Sequence, residues 1–228
     1  MNDIDYSVIL PALPFLLDGL QYTIQLTVVA CIGGILLGTL LAVARLSTYR
    51  PLALAAAMYV NLMRSVPLLL VIFWFYFLAP MLVQALTGAE RPVQVGPDRT
   101  AYVTFVLFEA AYFCEILRAG IKSVGQGQLN AAFALGLTYN QAMRSVVLPQ
   151  AFRNMTPVLL TQAIILFQDT SLVYVLSVTD FLGAASKIAE RDGRLVEMYT
   201  FVALSFYLMC YALSRAVKLL HARIAIIR

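Results

Sequence analysis

Charged residues are scarce in this chain. Only 12% of its 228 residues are Asp, Glu, Lys or Arg, whereas 61% are hydrophobic. Soluble domains carry about 25% charged residues, so this composition does not support a water-soluble surface and predicts a chain whose solvent is mainly lipid. The net charge of +4 is then better explained by membrane topology than by binding to nucleic acid.

Residues that carry catalysis or bind metals are also rare. The single histidine, His221, lies near the C-terminus, and the three cysteines, Cys31, Cys114 and Cys210, lie in separate apolar runs without metal or redox spacing. We expect buried structural thiols, no metal site and no catalytic residues. No G-x-x-x-x-G-K-[ST] phosphate loop occurs, so we expect no bound ATP or other cofactor. The acidic N-terminus lacks the basic region of a cleaved signal peptide.

Five apolar stretches are long enough to cross a bilayer, which requires about 20 residues. They predict an all-α polytopic membrane protein in which residues 1–228 form a single transmembrane domain. The predicted spans are 19–44, 65–89, 100–117, 154–179 and 198–217. Pro67 is expected to kink the second span where it leaves the cytoplasmic surface. Gly34 and Gly38 form a G-x-x-x-G pair that favours close helix packing.

The basic residues predict the orientation. Residues 45–64, 118–153 and 215–228 contain eleven Lys and Arg, whereas the N-terminus, 90–99 and 180–197 contain five. The richer set is predicted to be cytoplasmic, which places the N-terminus outside and the C-terminus inside. Segment 180–197 is then periplasmic, and its apolar row of Phe181, Ala185 and Ile188 predicts a short helix lying on the membrane.

The longest predicted cytoplasmic segment, residues 118–153, has a regular pattern. Residues 128–135 and 139–147 are each typical of a short helix. Gly136 is suited to the left-handed conformation that ends the first helix, and Pro149 is expected to stop or kink the second. From these residues alone, the segment is either a docking element or an ordinary amphipathic surface loop.

A polar patch, FQDTSL at 167–172, interrupts the fourth span near its predicted middle. Thr161 and Gln162 precede Gln168 and Asp169 by seven residues, so the four side chains form a stripe on one helix face. A charge in the membrane is unfavourable and suggests a functional site. A packing contact with a neighbouring helix remains the alternative. Glu109, inside the third span, has the same two alternatives.

The segment Asn130-Ala131-Ala132, followed by Gly136 and then by Val146-Val147-Leu148-Pro149, resembles the E-A-A…G…I-x-L-P loop of ABC importer permeases. Asn130 replaces the family glutamate and Val146 replaces the isoleucine. The stretches NLMRSVPLLL, AAYFCEILRAGIKSVGQGQ, LFQDTSLVYVLSV and ASKIAERDG resemble the polar-amino-acid branch of these permeases. Within that branch, they are closest to the permeases of bacterial glutamate/aspartate importers.

The resemblance implies a type I permease in the bacterial inner membrane. It implies four kinds of partner: a second permease subunit in a hetero-dimer, two ABC ATPase subunits that bind the ATP, a periplasmic substrate-binding protein and membrane lipid. It implies that the ATPase couples through Asn130, Ala131, Ala132, Gly136, Leu148 and Pro149. The candidate residues for the translocation path are Arg64, Glu109, Gln162, Gln168, Asp169, Thr170 and Ser171, and the resemblance supports the D-T-S segment among them.

Within the path, Asp169 would accept hydrogen bonds from a substrate ammonium group. Arg64 would donate to the substrate carboxylates, or it is a topology anchor. Cystine, glutamine and basic amino acids are alternative substrates. An ion-coupled secondary carrier, in which Asp169 and Glu109 carry protons, is a different class that leaves residues 118–153 unexplained. A membrane-embedded enzyme is a third reading, but no constellation of catalytic side chains appears in the predicted spans.

Overall fold

The computed structural model describes residues 5–91 and 95–224, with side chains to residue 222. Arg228, which was counted for the orientation, lies outside the described residues, as does the side chain of Arg223. The described backbone contains helices and no strand. The α-helices are α1 (Ile9–Leu46), α2 (Arg50–Ser65), α3 (Leu68–Phe73), α4 (Ala79–Thr87), α5 (Pro97–Lys122), α6 (Gln126–Ala134), α7 (Tyr139–Ala142), α8 (Leu148–Asp169), α9 (Phe181–Asp192) and α10 (Leu195–Ile224).

Five of the described helical segments are long and apolar enough to cross a membrane. They are Tyr6–Leu46, Leu68–Thr87, Pro97–Lys122, Tyr139–Leu176 and Leu195–Ala222. This confirms the all-α class and the five predicted spans. The first helix begins about ten residues before the predicted start, because Asp18 lies on an exposed face of α1 and does not interrupt it.

The closest helix packing joins α1 to α5. A Cβ added to Gly38 would lie 2.9 Å from the Ala110 carbonyl oxygen and from Phe113 Cβ. A Cβ added to Gly34 would lie 3.0 Å from the Phe113 ring. The G-x-x-x-G pair therefore permits this contact, as expected of small residues between membrane helices.

The second span is broken at Pro67, as predicted. The helix that precedes the break, α2, was assigned to a cytoplasmic segment, but it packs against α1 and α5. Val60 is fully buried in a cluster with Ala42 and Ala111, and the Tyr59 hydroxyl donates to the Leu107 carbonyl at 2.7 Å. One apolar face of α2 therefore lies within the bundle and brings Arg64 beside the third span.

Two wide helical turns precede prolines. In Trp74–Leu78 the Ala79 N–H bonds to the Trp74 carbonyl, and in Met143–Val147 the Leu148 N–H bonds to the Met143 carbonyl. Each turn ends two residues before a proline, Pro80 or Pro149, which lacks an N–H and crowds the carbonyl four residues earlier. The widened turn relieves that conflict, so Pro149 does not stop the helix and α7 continues into α8.

Candidate translocation face and coupling element

A buried hydrogen-bonded pair joins α5 and α8. Glu109 on α5 is fully buried, and its two carboxylate oxygens lie 3.0 and 3.4 Å from Gln162 Nε2 on α8. The pair therefore brings together two residues that the sequence analysis assigned to the translocation path. A carboxyl group held this way in a membrane bundle stabilises helix packing. Its partner Gln162 lies seven residues before Asp169, on the same face of α8.

The FQDTSL patch lies where α8 ends. Asp169 is the last residue of α8, and the chain tightens into a narrower helix over Thr170–Leu176, so Asp169 lies at the junction between the two kinds of helix. Its side chain is half-buried, Ser171 is half-buried and Gln168 is exposed. No side chain in residues 5–91 or 95–222 hydrogen bonds to the Asp169 carboxylate.

Thr170 differs from its neighbours in the patch. It is fully buried, and its hydroxyl donates to the Phe167 carbonyl at 2.7 Å. This contact satisfies the hydroxyl at the junction between α8 and the narrower helix. Thr170 therefore shapes the backbone around Asp169, whereas Gln168, Asp169 and Ser171 keep polar atoms available.

Three arginines surround one carboxylate near the C-terminal ends of α1, α2 and α5. Glu115 on α5 pairs with Arg45 and with Arg118, whose Nη2 lies 2.7 Å from Glu115 Oε2. Arg64, at the end of α2, lies 3.7 Å from Glu115 Oε1, and its guanidinium is 5.5 Å from the centre of the Tyr112 ring. Arg64 therefore contacts α5 through a long ion pair with Glu115 and through the face of the Tyr112 ring.

An open groove begins at this cluster and runs between α5 and α8. Its volume is about 430 Å³, and its polar lining comes from Arg64, Glu115, Ser123 and Asn154. Where the groove reaches the C-terminal end of α5, Asn154 Nδ2 donates to the Ser123 hydroxyl at 2.8 Å. The groove and the Glu109–Gln162 pair therefore lie between the same two helices.

The segment between α5 and α8 folds as two short helices joined by Gly136. Gly136 has a φ of +79°, and the Leu137 and Gly136 N–H groups bond to the carbonyls of Ala132 and Phe133. This pattern closes the end of α6 and favours glycine at the left-handed position. Thr138 then caps α7 by a reciprocal pair of bonds with Gln141. The predicted helix–glycine–helix arrangement is confirmed.

The predicted ATPase-coupling residues differ in exposure. Asn130, Ala131, Gly136 and Pro149 are exposed, Leu148 is half-buried and Ala132 is buried. Large apolar side chains are exposed beside them: Leu135 is 83% exposed and Tyr139 is 61% exposed. A soluble surface loop rarely presents such residues together, so this element suits contact with another protein.

Segment 180–197 contains α9, which does not lie on the membrane as predicted. Its apolar residues Ala184, Ala185, Ile188 and Ala189 are buried against α1 and α10, so the predicted apolar row contacts protein. The charged residues of α9 remain exposed. They are Lys187, Glu190, Arg191 and Asp192.

Asp180 holds the start of α9. Its carboxylate accepts hydrogen bonds from the Gly183 and Leu182 N–H groups at 2.9 and 3.2 Å. It is fully buried, and burial raises its pKa to about 6, although the two backbone hydrogen bonds lower it. The adjacent Phe181 N–H donates to the Thr23 hydroxyl at 3.1 Å, which anchors this turn to α1.

Comparison with known proteins decides the family. Residues 34–226 match the model of the binding-protein-dependent transport system inner membrane component. The chain belongs to this family. It is therefore a multi-pass inner-membrane component of a transporter that depends on a binding protein.

Within this family, the chain is similar to amino-acid permeases and to the solved structure of an amino acid transporter. The glutamate/aspartate import permease protein GltK of Escherichia coli O157:H7 is 50% identical over 99% of this chain and 100% of its own. The arginine transport system permease protein ArtQ of Bacillus subtilis is 32% identical over 93% of each chain. A crystal structure of an amino acid ABC transporter with histidines superposes with a TM-score of 0.88 and 29% identity, covering 96% of this chain and 99% of that one.

The sequence analysis missed one cluster of side chains that the fold brings together. Glu115 and Tyr112 were not singled out, although Glu115 and Arg118 stand at a helical ion-pair spacing. The contacts of Glu115 with Arg45 and Arg64 depend on the packing of α1 and α2 against α5, which no local pattern encodes.

Proposed function

We propose that this chain is a permease subunit of an ATP-driven ABC importer for polar amino acids, with glutamate and aspartate as its substrates. The observation that carries this proposal is the 50% identity, over nearly the full length of both chains, to a glutamate/aspartate import permease. Relatives named for arginine, glutamine or cystine transport are 30–34% identical, so those substrates are less well supported. A secondary carrier is set aside because the family depends on a binding protein.

The proposed assembly contains a second, different permease subunit, two ATPase subunits and a periplasmic substrate-binding protein. Five spans without an internal repeat cannot enclose a pseudo-symmetric pore alone. ATP is bound by the ATPase subunits, because this sequence has no phosphate loop. The N-terminus is periplasmic and the C-terminus cytoplasmic, on the evidence of the basic residues.

The proposed path follows the shared face of α5 and α8. Asp169 accepts hydrogen bonds from the substrate ammonium group, with Gln168 and Ser171 as neutral partners and Thr170 holding the backbone. Glu109 and Gln162 form the next polar pair along the path, two helical turns from Asp169 on α8. Within the part of the chain that the structure describes, no side chain hydrogen bonds to the Asp169 carboxylate. This supports the role, because a structural carboxylate in the membrane would be expected to be bonded.

The proposed coupling element is the segment from Asn130 to Pro149. It docks in the ATPase through Asn130, Ala131, Ala132, Gly136, Leu148 and Pro149, with a neutral contact at Asn130 where the family glutamate would carry charge. The exposed apolar side chains of Leu135 and Tyr139 support this contact.

Reconstitution tests the proposal directly. The complex is purified in mild detergent through a tag on this chain, placed in vesicles with ATP inside, and supplied outside with the loaded binding protein. We expect an ATPase subunit and a second permease in the eluate, and uptake of labelled glutamate and aspartate that requires ATP. Uptake of glutamate without any ATPase, or uptake of only another amino acid, would refute the proposal.

A further inference from the structure

A second groove lies on the opposite side of α8 from the candidate path. It is formed by α1, α8 and α10, with lining residues from within 24–28, 160–167 and 209–217, and its volume is about 540 Å³. We call it the back groove. Leu160 in its lining and Gln162 on the path are two residues apart, which places them about 200° apart around the helix. The volume is within the roughly 300–1,000 Å³ that is typical of small-molecule sites.

The lining of the back groove is apolar except for Thr27. The Thr27 hydroxyl donates to the Thr23 carbonyl at 2.8 Å, so it needs no further partner. Ile24 and Val28, one turn apart on α1, are 48% and 49% exposed. A hydrocarbon chain can therefore fill the back groove without leaving a buried polar atom unsatisfied.

The back groove also has the length expected of a lipid chain. Leu160 and Phe167 are seven residues apart on α8, and Met209 and Val217 are eight residues apart on α10. The groove therefore extends about 11–12 Å along each helix, within the roughly 15 Å of hydrocarbon in one leaflet. Arg153 precedes Leu160 by another seven residues on the same face of α8, so Phe167 and Arg153 are separated by about 21 Å. The distance from the bilayer midplane to the outer edge of the headgroups is also about 20–22 Å.

Arg153 has donors available for a headgroup. It is exposed, and no side chain in the described part of the chain forms an ion pair or a hydrogen bond with it. A guanidinium can bind a phosphate through two parallel hydrogen bonds. The proposed orientation places Arg153 at the cytoplasmic surface, where basic residues attract anionic lipids.

We propose that the back groove and Arg153 bind one anionic phospholipid of the inner leaflet. An acyl chain lies between α1, α8 and α10, and the phosphate accepts hydrogen bonds from Arg153. Only the assignment to the inner leaflet rests on the proposed orientation. A helix of the second permease is the competing occupant, but the proposed path places that subunit on the opposite side of α8.

Photolabelling in nanodiscs tests this site. The intact complex is placed in phosphatidylcholine discs that contain a trace of phosphatidylglycerol with a diazirine near the end of one acyl chain. A parallel series carries the same chain on phosphatidylcholine, and mass spectrometry identifies the labelled residues. We expect label in the groove lining, with phosphatidylglycerol labelling about fivefold more strongly, which is the effect of one basic residue near a membrane surface.

Two pairs of variants separate the chain from the headgroup. Ala212→Phe fills the back groove and should remove its label for both lipids, whereas Ala203→Phe, exposed on α10 but outside the groove, should not. Arg153→Gln should lower labelling by phosphatidylglycerol to the level of phosphatidylcholine. Lys218→Gln removes a charge from the side of α10 opposite Met209 and should keep the preference of the wild type.

Three outcomes would overturn the proposal. Label that is spread over every lipid-facing helix and is insensitive to Ala212→Phe would identify ordinary contact with bulk lipid. An unlabelled groove in the intact complex would show that protein covers it. Equal labelling by both lipids in the wild type would exclude a headgroup site at Arg153. None of these outcomes depends on substrate, so the uptake assay in vesicles tests the proposed function separately.

Discussion

The carboxylate of Glu109 on α5 accepts a hydrogen bond from Gln162 Nε2 on α8 at 3.0 Å, and no other described side chain hydrogen bonds to it. Gln162→Leu would leave a fully buried carboxyl group without that partner. We expect destabilisation of about 1–3 kcal/mol, because an unsatisfied buried polar group retains its desolvation penalty. Thermal unfolding of the purified complex measures the loss.

A double variant provides the control for this pair. Glu109→Leu combined with Gln162→Leu replaces both partners by apolar groups, so it should be more stable than Gln162→Leu alone. Strictly additive losses in the two single variants and the double variant would show that the hydrogen bond does not couple α5 to α8.

Asp169→Asn should separate a transport role from a packing role. Asparagine keeps the size of the side chain and loses its charge, so the complex should assemble normally. Replacing a charged hydrogen-bond partner by a neutral one should weaken substrate binding in the pore on the order of ten- to a hundredfold. Two measurements on one variant are needed: co-purification of the second permease, and substrate-stimulated ATP hydrolysis with saturating binding protein. Normal stimulation in a normally assembled complex would exclude the transport role.

Gly136→Val should release the ATPase while the subunit still inserts into the membrane. A left-handed residue with a side chain is unfavourable by roughly 1–2 kcal/mol, and more for a β-branched one. The strain falls on the turn between α6 and α7. The matched control is Gly127→Ala in α6, where an added Cβ meets no atom within 4 Å and alanine favours the helix. Equal ATPase co-purification in both variants would disprove the coupling assignment.

Sequence patterns predicted the features that depend on local composition. Uncharged runs identified the spans, Pro67 identified the break before α3, and Gly136 identified the end of α6. The packing of α2 and α9 was not predicted, because an apolar helix face does not reveal whether lipid or protein covers it. The cluster around Glu115 was missed for a related reason: contacts between residues 45, 64 and 115 exist only once three helices have taken their rotation and tilt.

Asp192→Cys tests the topology. Asp192 is exposed near the end of α9, so its replacement should react from outside intact cells with an impermeant thiol reagent. Thr138→Cys, exposed between α6 and α7, should react only after lysis. Native background should be low, since Cys114 and Cys210 are buried and Cys31 is half-buried. The reverse pattern of labelling would invert the proposed orientation.

The Asp180 carboxyl should make stability depend on pH. Burial raises its folded pKa to about 6 from an ordinary value of 3.8, so the folded state holds this proton more tightly than the unfolded state. The contribution of Asp180 to the free energy of unfolding should therefore be largest below pH 3.8 and fall by about 3 kcal/mol as the pH rises through about 6.

Asp180→Asn is the matched variant for this prediction. Asparagine also caps helix N-termini, so α9 should keep its start while the fall in stability between pH 4 and 6 becomes smaller. Asp180→Ala, which cannot cap, should be less stable at every pH. The measurement is the unfolding temperature of the complex as a function of pH. An unchanged slope in Asp180→Asn would assign the pH dependence to another group.

The wide turn before Pro149 has a mechanical consequence. Because the helix is not broken there, Tyr139–Leu176 is helical throughout, although it contains the wide turn, Pro157 and a narrower helix after Asp169. In the proposed assembly, this helix joins the coupling element at its Tyr139 end to Asp169, so a displacement of the ATPase would reach the proposed path through continuous helical backbone.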